Sequence, residues 1–324
     1  MKKHVLLTSS IALGMSAGLM ADFEGPGNGP NYNTLIGGDS DKAWTFWLRT
    51  YVGYDDNVQF VPDGVFFGGE QESSYFGLTA QGAYRFYQSG NVEAGAAFRY
   101  DQTFYFEDSS GASSPDNFDF VAFEPAVYLS YTADEWYGRA TYSYRWEEAD
   151  TTLIGVSSHN LTLMAGKQIN PCLSAEVSWT HGWDDFHTPG FGAAERDGDR
   201  DRFTLALGYR VSEKAPKLTF SYSYLDNDAD GSLFSYDGHE FKFAIASPLA
   251  DNIGAVAYVK YTDLDYDTGA RSEQEILNLG VRVVYIIDEN WSADIFYDHL
   301  DVDSDATFFR GERNNFGVGA RYDF

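Results

Sequence analysis

Cysteine occurs once in 324 residues, at Cys172, so no internal disulfide can staple the chain. Its neighbours Asn170-Pro171 mark a turn, and Cys172 reads as a small turn-flanking residue rather than a reactive thiol. Long apolar runs are missing beyond residue 20. A membrane-spanning helix needs about 20 consecutive apolar residues. If the mature chain crosses a membrane, it must therefore do so as a closed barrel, the other structure that satisfies its own backbone in lipid. Basic residues are scarce: 22 Lys and Arg stand against 49 Asp and Glu, a formal charge of −27. That balance argues against a nucleic-acid partner, which needs basic surface. Neither a His-Glu-x-x-His zinc motif nor a Gly-x-Ser-x-Gly nucleophile elbow occurs, and the histidines (His4, His159, His181, His187, His239 and His299) are scattered. No long stretch keeps the 3.6-residue period of an amphipathic helix.

Aromatic residues are abundant. Tyr and Phe number 23 and 25 against 4 Met, and such residues favour strands and membrane interfaces. At the N-terminus, Lys2 and Lys3 precede an apolar, small-residue-rich run from Val5 to Met20. This reads as a secretory signal peptide, residues 1–21, cleaved at Ala21-Asp22 or nearer Gly18. Its loss takes away Lys2 and Lys3 and moves the formal charge from −27 to −29. Residues 22–42 form a Gly/Asn-rich lead-in, too short for a full plug domain, and residues 43–324 form the folded unit.

From residue 43 onward, period-2 alternation dominates. Strands are expected near 43–56, 74–88, 91–106, 118–131, 135–147, 158–168, 172–184, 201–212, 216–226, 238–247, 252–263, 274–287, 290–301 and 313–324. In one of them Leu218, Phe220, Tyr222 and Tyr224 oppose Lys217, Thr219, Ser221 and Ser223. The connections alternate in kind. Short turns such as Gln88-Ser-Gly-Asn91 and Asp288-Glu-Asn290 interleave with longer acidic or Gly-rich segments at 57–73, 107–117, 148–157, 185–200, 227–237, 264–273 and 302–312. A soluble sandwich has no reason to segregate its turns in this way. An outer-membrane barrel does, with short turns on the periplasmic side and long loops outside.

The last strand sharpens the reading. Phe316, Val318, Ala320, Tyr322 and Phe324 share one face; Asn315, Gly317, Gly319, Arg321 and Asp323 share the other. Here the sequence resembles the Gram-negative outer-membrane barrel proteins, porin-like members among them, whose last strand ends in Phe with aromatic or apolar residues at alternate positions. The resemblance implies that Tyr322 and Phe324 are read by the barrel-assembly machinery and that the protein sits in the outer membrane. The segment Tyr51-Val-Gly-Tyr-Asp-Asp-Asn-Val58 is similar to a phrase found in porin-like and surface-export barrels, although the helical repeat domain that precedes export barrels is absent. The expected fold is all-β: a transmembrane antiparallel up-and-down barrel of about fourteen strands.

With the apolar face outward, the inner wall is expected to carry Arg49, Arg85, Arg99, Arg139, Arg145, Arg202, Arg210, Lys217, Lys242, Lys260, Arg282 and Arg321. Its acids are Glu93, Asp101, Glu124, Glu176, Glu240, Asp294 and Asp298. Twelve bases against seven acids leave a surplus of five positive charges in a strongly acidic chain. Such a wall is wet, and charged rings tune ion preference in pores; the same Arg–Glu pairs can equally serve to stiffen the wall. Asp226, Asp228 and Asp230 recur at i, i+2, i+4, as do Asp263, Asp265 and Asp267, and Asp301, Asp303 and Asp305. Each triplet continues the outward register of the strand before it. A rim of carboxylates would meet lipopolysaccharide phosphates through bridging Ca²⁺ or Mg²⁺, whose ligands are oxygens; simple solvation of acidic loops explains any single triplet as well. Asp226-Asn-Asp-Ala-Asp-Gly231 also looks like the start of a calcium loop.

These residues point to a porin-like channel for passive diffusion of small hydrophilic solutes or ions, with no cofactor required. The alternative is a non-conducting structural or adhesive surface barrel with cation-binding acidic loops. An outer-membrane hydrolase is the third reading, with Ser158-His159 and Asp184-Asp185 with His187 as its nearest candidates.

Overall fold

The computed structural model describes residues 43–58, 72–106, 115, 119–149, 155–187, 195–212, 215–268, 271–305 and 310–324. The signal peptide and the lead-in expected at 1–42 lie outside them. Fourteen strands follow in chain order: β1 (Trp44–Asp55), β2 (Ser73–Ser89), β3 (Val92–Tyr105), β4 (Phe120–Ala133), β5 (Trp136–Ala149), β6 (Val156–Asn170), β7 (Leu173–Phe186), β8 (Gly198–Arg210), β9 (Lys217–Ala229), β10 (Tyr236–Ala250), β11 (Ile253–Thr268), β12 (Arg271–Ile286), β13 (Trp291–Ser304) and β14 (Gly311–Asp323). Each pairs antiparallel with its neighbours in sequence, and β14 returns to β1, so the sheet is a closed barrel. The weakest strand expected from sequence, at 158–168, is a full 15-residue element.

Alternation decides which face each residue takes. Phe203, Leu205, Leu207 and Tyr209 of β8 are exposed on the outside, as are Val127, Leu129 and Tyr131 of β4 and Phe316 and Val318 of β14. Arg49, Glu124, Arg145 and Arg282, of the opposite parity, are buried inside. An apolar exterior around a polar interior is the arrangement a membrane demands of a barrel.

Closure at β14–β1 is tied by side chains as well as backbone. The Phe324 N–H donates to the Phe46 carbonyl at 3.0 Å, and the Phe324 ring lies 4.8 Å from Phe46 and 4.7 Å from Tyr322. At the outer end, Arg313 of β14 forms an ion pair with Asp55 of β1. At mid-height Arg49 of β1 reaches over β14 to grip Asp294 of β13 in a bidentate pair, at 3.0 and 2.6 Å. It can do so because position 319 is glycine: a Cβ there would come within 2.9 Å of the Asp294 carboxylate and 3.0 Å of the Arg49 guanidinium.

A related device recurs round the inside. Tyr51 lies over Gly77, Tyr75 over Gly53, Tyr128 over Gly95, Tyr137 over Gly166 and Tyr258 over Gly280, in each case an aromatic ring on a neighbouring strand filling the space a side chain would take. These rings also hold one another: Tyr51 meets Tyr75 and Phe296 edge-on at 5.9 and 6.0 Å.

Several segments expected as outer loops are strand instead. β9 runs to Ala229, β11 to Thr268, and β13 to Ser304, while β12 begins at Arg271. Asp226 and Asp228, Asp263, Asp265 and Asp267, and Asp301 and Asp303 therefore stand on extended backbone, with only Asp230 and Asp305 beyond strand ends. The physical reason is that the alternation does not stop at the first Asp. Inward partners continue the pattern: the Tyr236 and Tyr266 rings are 5.2 Å apart, and Tyr266 donates to Gln274 at 3.1 Å.

Two substitutions test this architecture. Arg in place of outward Leu207 should cost about 2–4 kcal/mol in lipid vesicles if the position lies near the bilayer midplane, whereas Arg in place of inward Ala206 should be tolerated; urea unfolding in liposomes reads both, and equal costs would break the face assignment. Gly77→Ala displaces the Tyr51 ring and should destabilise by about 1–3 kcal/mol. At Gly138 the nearest atom to a new Cβ is the Met164 carbonyl oxygen at 3.4 Å, so Gly138→Ala should lie within about 0.5 kcal/mol of wild type in the same assay.

Candidate functional site

The inner wall is the first concentration of chemistry. All twelve bases and seven acids expected there stand at inward positions, and the same parity brings in residues that the sequence reading passed over: Arg200 and Arg313 among bases, Asp55, Glu147, Asp184 and Asp323 among acids. The wall thus holds fourteen bases and eleven acids among the described residues, and the positive surplus falls from five to three. Parity was the signal that could have found them. Asp55 shares a face with Arg49, Glu147 with Arg145, Asp323 with Arg321.

Most of the charges on the wall have a partner close by. Asp294 takes Arg49 and also stands 3.6 Å from Arg282. Arg145 reaches Glu147 at 2.8 Å and Glu124 at 3.5 Å. Arg99 holds Asp101, from which Thr79 lies 3.0 Å away. Arg85 meets Glu93 at 3.4 Å, and Tyr128 donates to the same carboxylate at 3.2 Å. Glu240 pairs with Arg202 and stands 3.6 Å from Lys260. Tyr137 donates to Glu176 at 3.1 Å, and the Tyr258 hydroxyl is 3.0 Å from Asp298. Arg321 pairs with Asp323 at 2.6 Å and covers the Trp47 ring at 4.4 Å. Arg139 lies over Tyr128 at 5.2 Å, Lys242 over Tyr258 at 5.4 Å, and the Arg210 guanidinium donates to the Ser212 and Ala215 carbonyls. These bonds join strands no more than two apart round the barrel.

The outer rim is the second concentration. The three Asp triplets face outward as expected, but cross-strand pairing, invisible in a linear reading, matters more than their i, i+2 spacing. Asp226 stands opposite Asp201 and Asp237, Asp237 opposite Asp265, and Asp265 opposite Glu273. A second row runs from Asp263 to Glu275 to Asp303, and Asp301 faces Glu312. Like charges directly opposite one another destabilise a sheet. The Asp226 carboxyl is accordingly held above the usual carboxylate range, first by loss of hydration, then by repulsion from Asp201, Asp228, Asp237 and Asp267. The calcium loop expected to begin at Asp226 does not form, because Asp226, Asp228 and their neighbours lie on the straight backbone of β9. Alternate strand residues are about 6.6–6.8 Å apart, so one triplet cannot wrap one ion. Among the described residues no group of three His, Cys, Asp or Glu side chains is placed to hold a metal ion.

The hydrolase candidates separate. Ser158 is buried inside, while His159 is outside with its Nδ1 2.6 Å from the Tyr142 hydroxyl. Asp184 faces inward to Arg200 at 3.4 Å, while Asp185 faces out. His187 meets not Ser158 but Ser157, Nε2 to Oγ 3.1 Å. His181, His239 and His299 also sit on the outer face, beside Asp201, Tyr222 and Asn314 respectively.

No protein-family model and no curated protein matches the sequence. Solved structures do. OmpT of Vibrio cholerae, an outer-membrane protein, aligns over 88% of this chain and 99% of its own with 14% identity and a TM-score of 0.51. Its loop L8 deletion mutant aligns over 87% and 100% with 14% identity and a TM-score of 0.50. The deltaS2 mutant of the TodX monoaromatic hydrocarbon channel aligns over 91% and 92% with 12% identity and a TM-score of 0.52. At these identities the likeness is one of fold. Closed by fourteen antiparallel strands, apolar outside and charged within, this chain has the fold of the outer-membrane β-barrel proteins.

Proposed function

We propose that the protein is a porin-like channel of a Gram-negative outer membrane, for passive diffusion of small hydrophilic solutes or ions. The observation that carries this reading is the way the inner wall satisfies itself. Most of its charges pair with neighbours no more than two strands away, so the pairing does not cross the barrel and leaves the middle to water. Fourteen strands enclose more space than the many Ser, Thr, Gly and Ala side chains on this wall can fill. TodX is a hydrocarbon channel of similar fold, but a wall with fourteen bases and eleven acids is a poor lining for hydrocarbon.

The surplus of three positive charges favours anions weakly, while the acidic rim opposes them at the mouth. At about 0.15 M salt the Debye length is near 8 Å, so the exposed rim fades quickly and the wall dominates as salt rises. Planar-bilayer recordings of the purified barrel should give stepwise conductance with weak anion preference at high salt, moving toward cations as salt falls. Protein that inserts yet never conducts would overturn the channel reading in favour of a structural or adhesive barrel.

The outward carboxylate rows bear on the partner. Two anionic layers, rim and lipopolysaccharide phosphates, approach only if Ca²⁺ or Mg²⁺ bridges them. Tyr322 and Phe324 at the closing strand suit recognition by the barrel-assembly machinery. Because the Asp226 carboxyl is raised above its unfolded value, its ionised form costs stability in full at neutral pH, and that cost is lost as pH falls through the raised value. Asp226→Asn should therefore raise the melting temperature in detergent at pH 7.5 and narrow the gain that wild type shows on acidification toward pH 5. In lipopolysaccharide bilayers, chelation of divalent ions should lower wild-type stability more than that of the variant. Identical responses of the two proteins would remove the bridging role.

A further inference from the structure

We propose that the solute path is eccentric, pressed against β6–β9, and that it accepts small hydroxylated anions such as sugar acids; this rests on the channel reading above. Side-chain size and side-chain exposure point the same way. Mid-strand inward positions of β6–β9 hold Thr162, Met164, Ser178, Thr180, Thr204, Ala206 and Ser221, all but Met164 no larger than threonine and each partly exposed, while Ser223 between them is buried. On the other side, mid-strand positions hold Arg49, Glu124, Arg145 and Arg282, yet these large polar side chains are only 6%, 2%, 8% and 4% exposed. Small residues open to the interior and large ones sealed from it place the free space against the small ones. The Tyr and Arg groups that lock the β14–β1 closure thicken one wall and displace the opening to the other.

The lining of that strip sets the class of solute. Hydroxyls run along it: Thr162 pairs with Thr180 at 3.0 Å and Thr204 with Ser223 at 2.9 Å. Rotating hydroxyls donate and accept, and so replace the water lost by a polyol. Bases mark both ends. Arg200 and Arg202 stand at the outer end of β8, and Arg210 faces Lys217 across β8 and β9 at the periplasmic end. Glu176 and Asp184 are the inward acids on these strands, two against the four inward bases Arg200, Arg202, Arg210 and Lys217.

In a Cys172→Ser background, cysteine at Ser178 or Thr204 on the strip is compared with cysteine at Thr79 or Ser143 on the opposite wall. The folded barrel is treated with anionic methanethiosulfonate ethylsulfonate and read by intact mass. Ser178→Cys and Thr204→Cys should react several-fold faster than Thr79→Cys and Ser143→Cys, and their reaction should reduce conductance. Equal rates, or faster reaction on the opposite wall, would overturn the eccentric path. Because mass reads the reaction without any current, a barrel that labels as expected but never conducts would sink the channel reading alone. For the solute class, gluconate is compared with tetraethylammonium by reversal potential. Wild type should favour gluconate, and Arg200→Gln with Lys217→Gln should lower that ratio several-fold. A ratio unchanged in the double variant, or tetraethylammonium favoured by wild type, would overturn the anion assignment.

Discussion

Closure of the sheet is the constraint on which everything else in this molecule depends. In hydrocarbon there is no water to satisfy a free N–H or C=O, so an open strand edge is not tolerated and β14 must find β1. The chain has only nine described register partners along that pair, Trp47↔Asp323 to Asp55↔Asn315, to seal the ends. It reinforces them from inside. Arg313 to Asp55, Arg49 to Asp294 over Gly319, and Arg321 over Trp47 form a ladder of contacts from the outer to the periplasmic end. A buried pair is weak evidence of net stability, because desolvation offsets much of its attraction. Its better-attested effect is to fix register. A slip of one residue would turn Arg49 and Asp55 toward lipid.

The closure has a consequence for the lumen. Glycines on one strand and aromatic rings on the next let large side chains lie flat: Tyr51 over Gly77, Tyr75 over Gly53, Tyr128 over Gly95. This makes the wall from β12 through β1 to β5 thick, polar and buried. The opposite wall, β6 to β9, holds mostly Thr, Ser, Ala and Gly at mid-strand, with Met164 among them and its charged side chains nearer the strand ends. On the proposed eccentric path, stability of the seam and position of the opening are two results of one distribution of side-chain volume.

Much of this was legible in the sequence, because a barrel spanning a membrane leaves its period in every strand. The strand count and the alternation of faces along each strand match the structure. What the sequence did not display were relations between strands. The facing of Asp226 with Asp201 and Asp237, or of Arg49 with Asp294 across an intervening glycine, depends on register, and register is set by closure rather than by local propensity. Strand ends were misjudged for a similar reason. Asp-rich stretches read as loops by composition, yet β9, β11 and β13 carry their alternation past the apolar band because a paired neighbour is there to continue the ladder.

Charge segregation is the last link. Among the described residues fourteen Lys and Arg and eleven Asp and Glu face the inside of the barrel, in a chain with 22 bases and 49 acids. A chain of formal charge −27 therefore presents a slightly positive interior behind a strongly negative rim. The two fields act over different distances. Rim carboxylates stand in solvent and are screened within about a Debye length; lumenal charges lie against low-dielectric walls and are screened less. Net charge thus says little about the field inside. An ion approaching from outside meets the rim first, and one inside the barrel meets Arg and Lys beside hydroxyls. In the channel proposed above, ionic strength sets which of the two controls passage, so selectivity belongs to the pair of protein and solution rather than to the sequence alone.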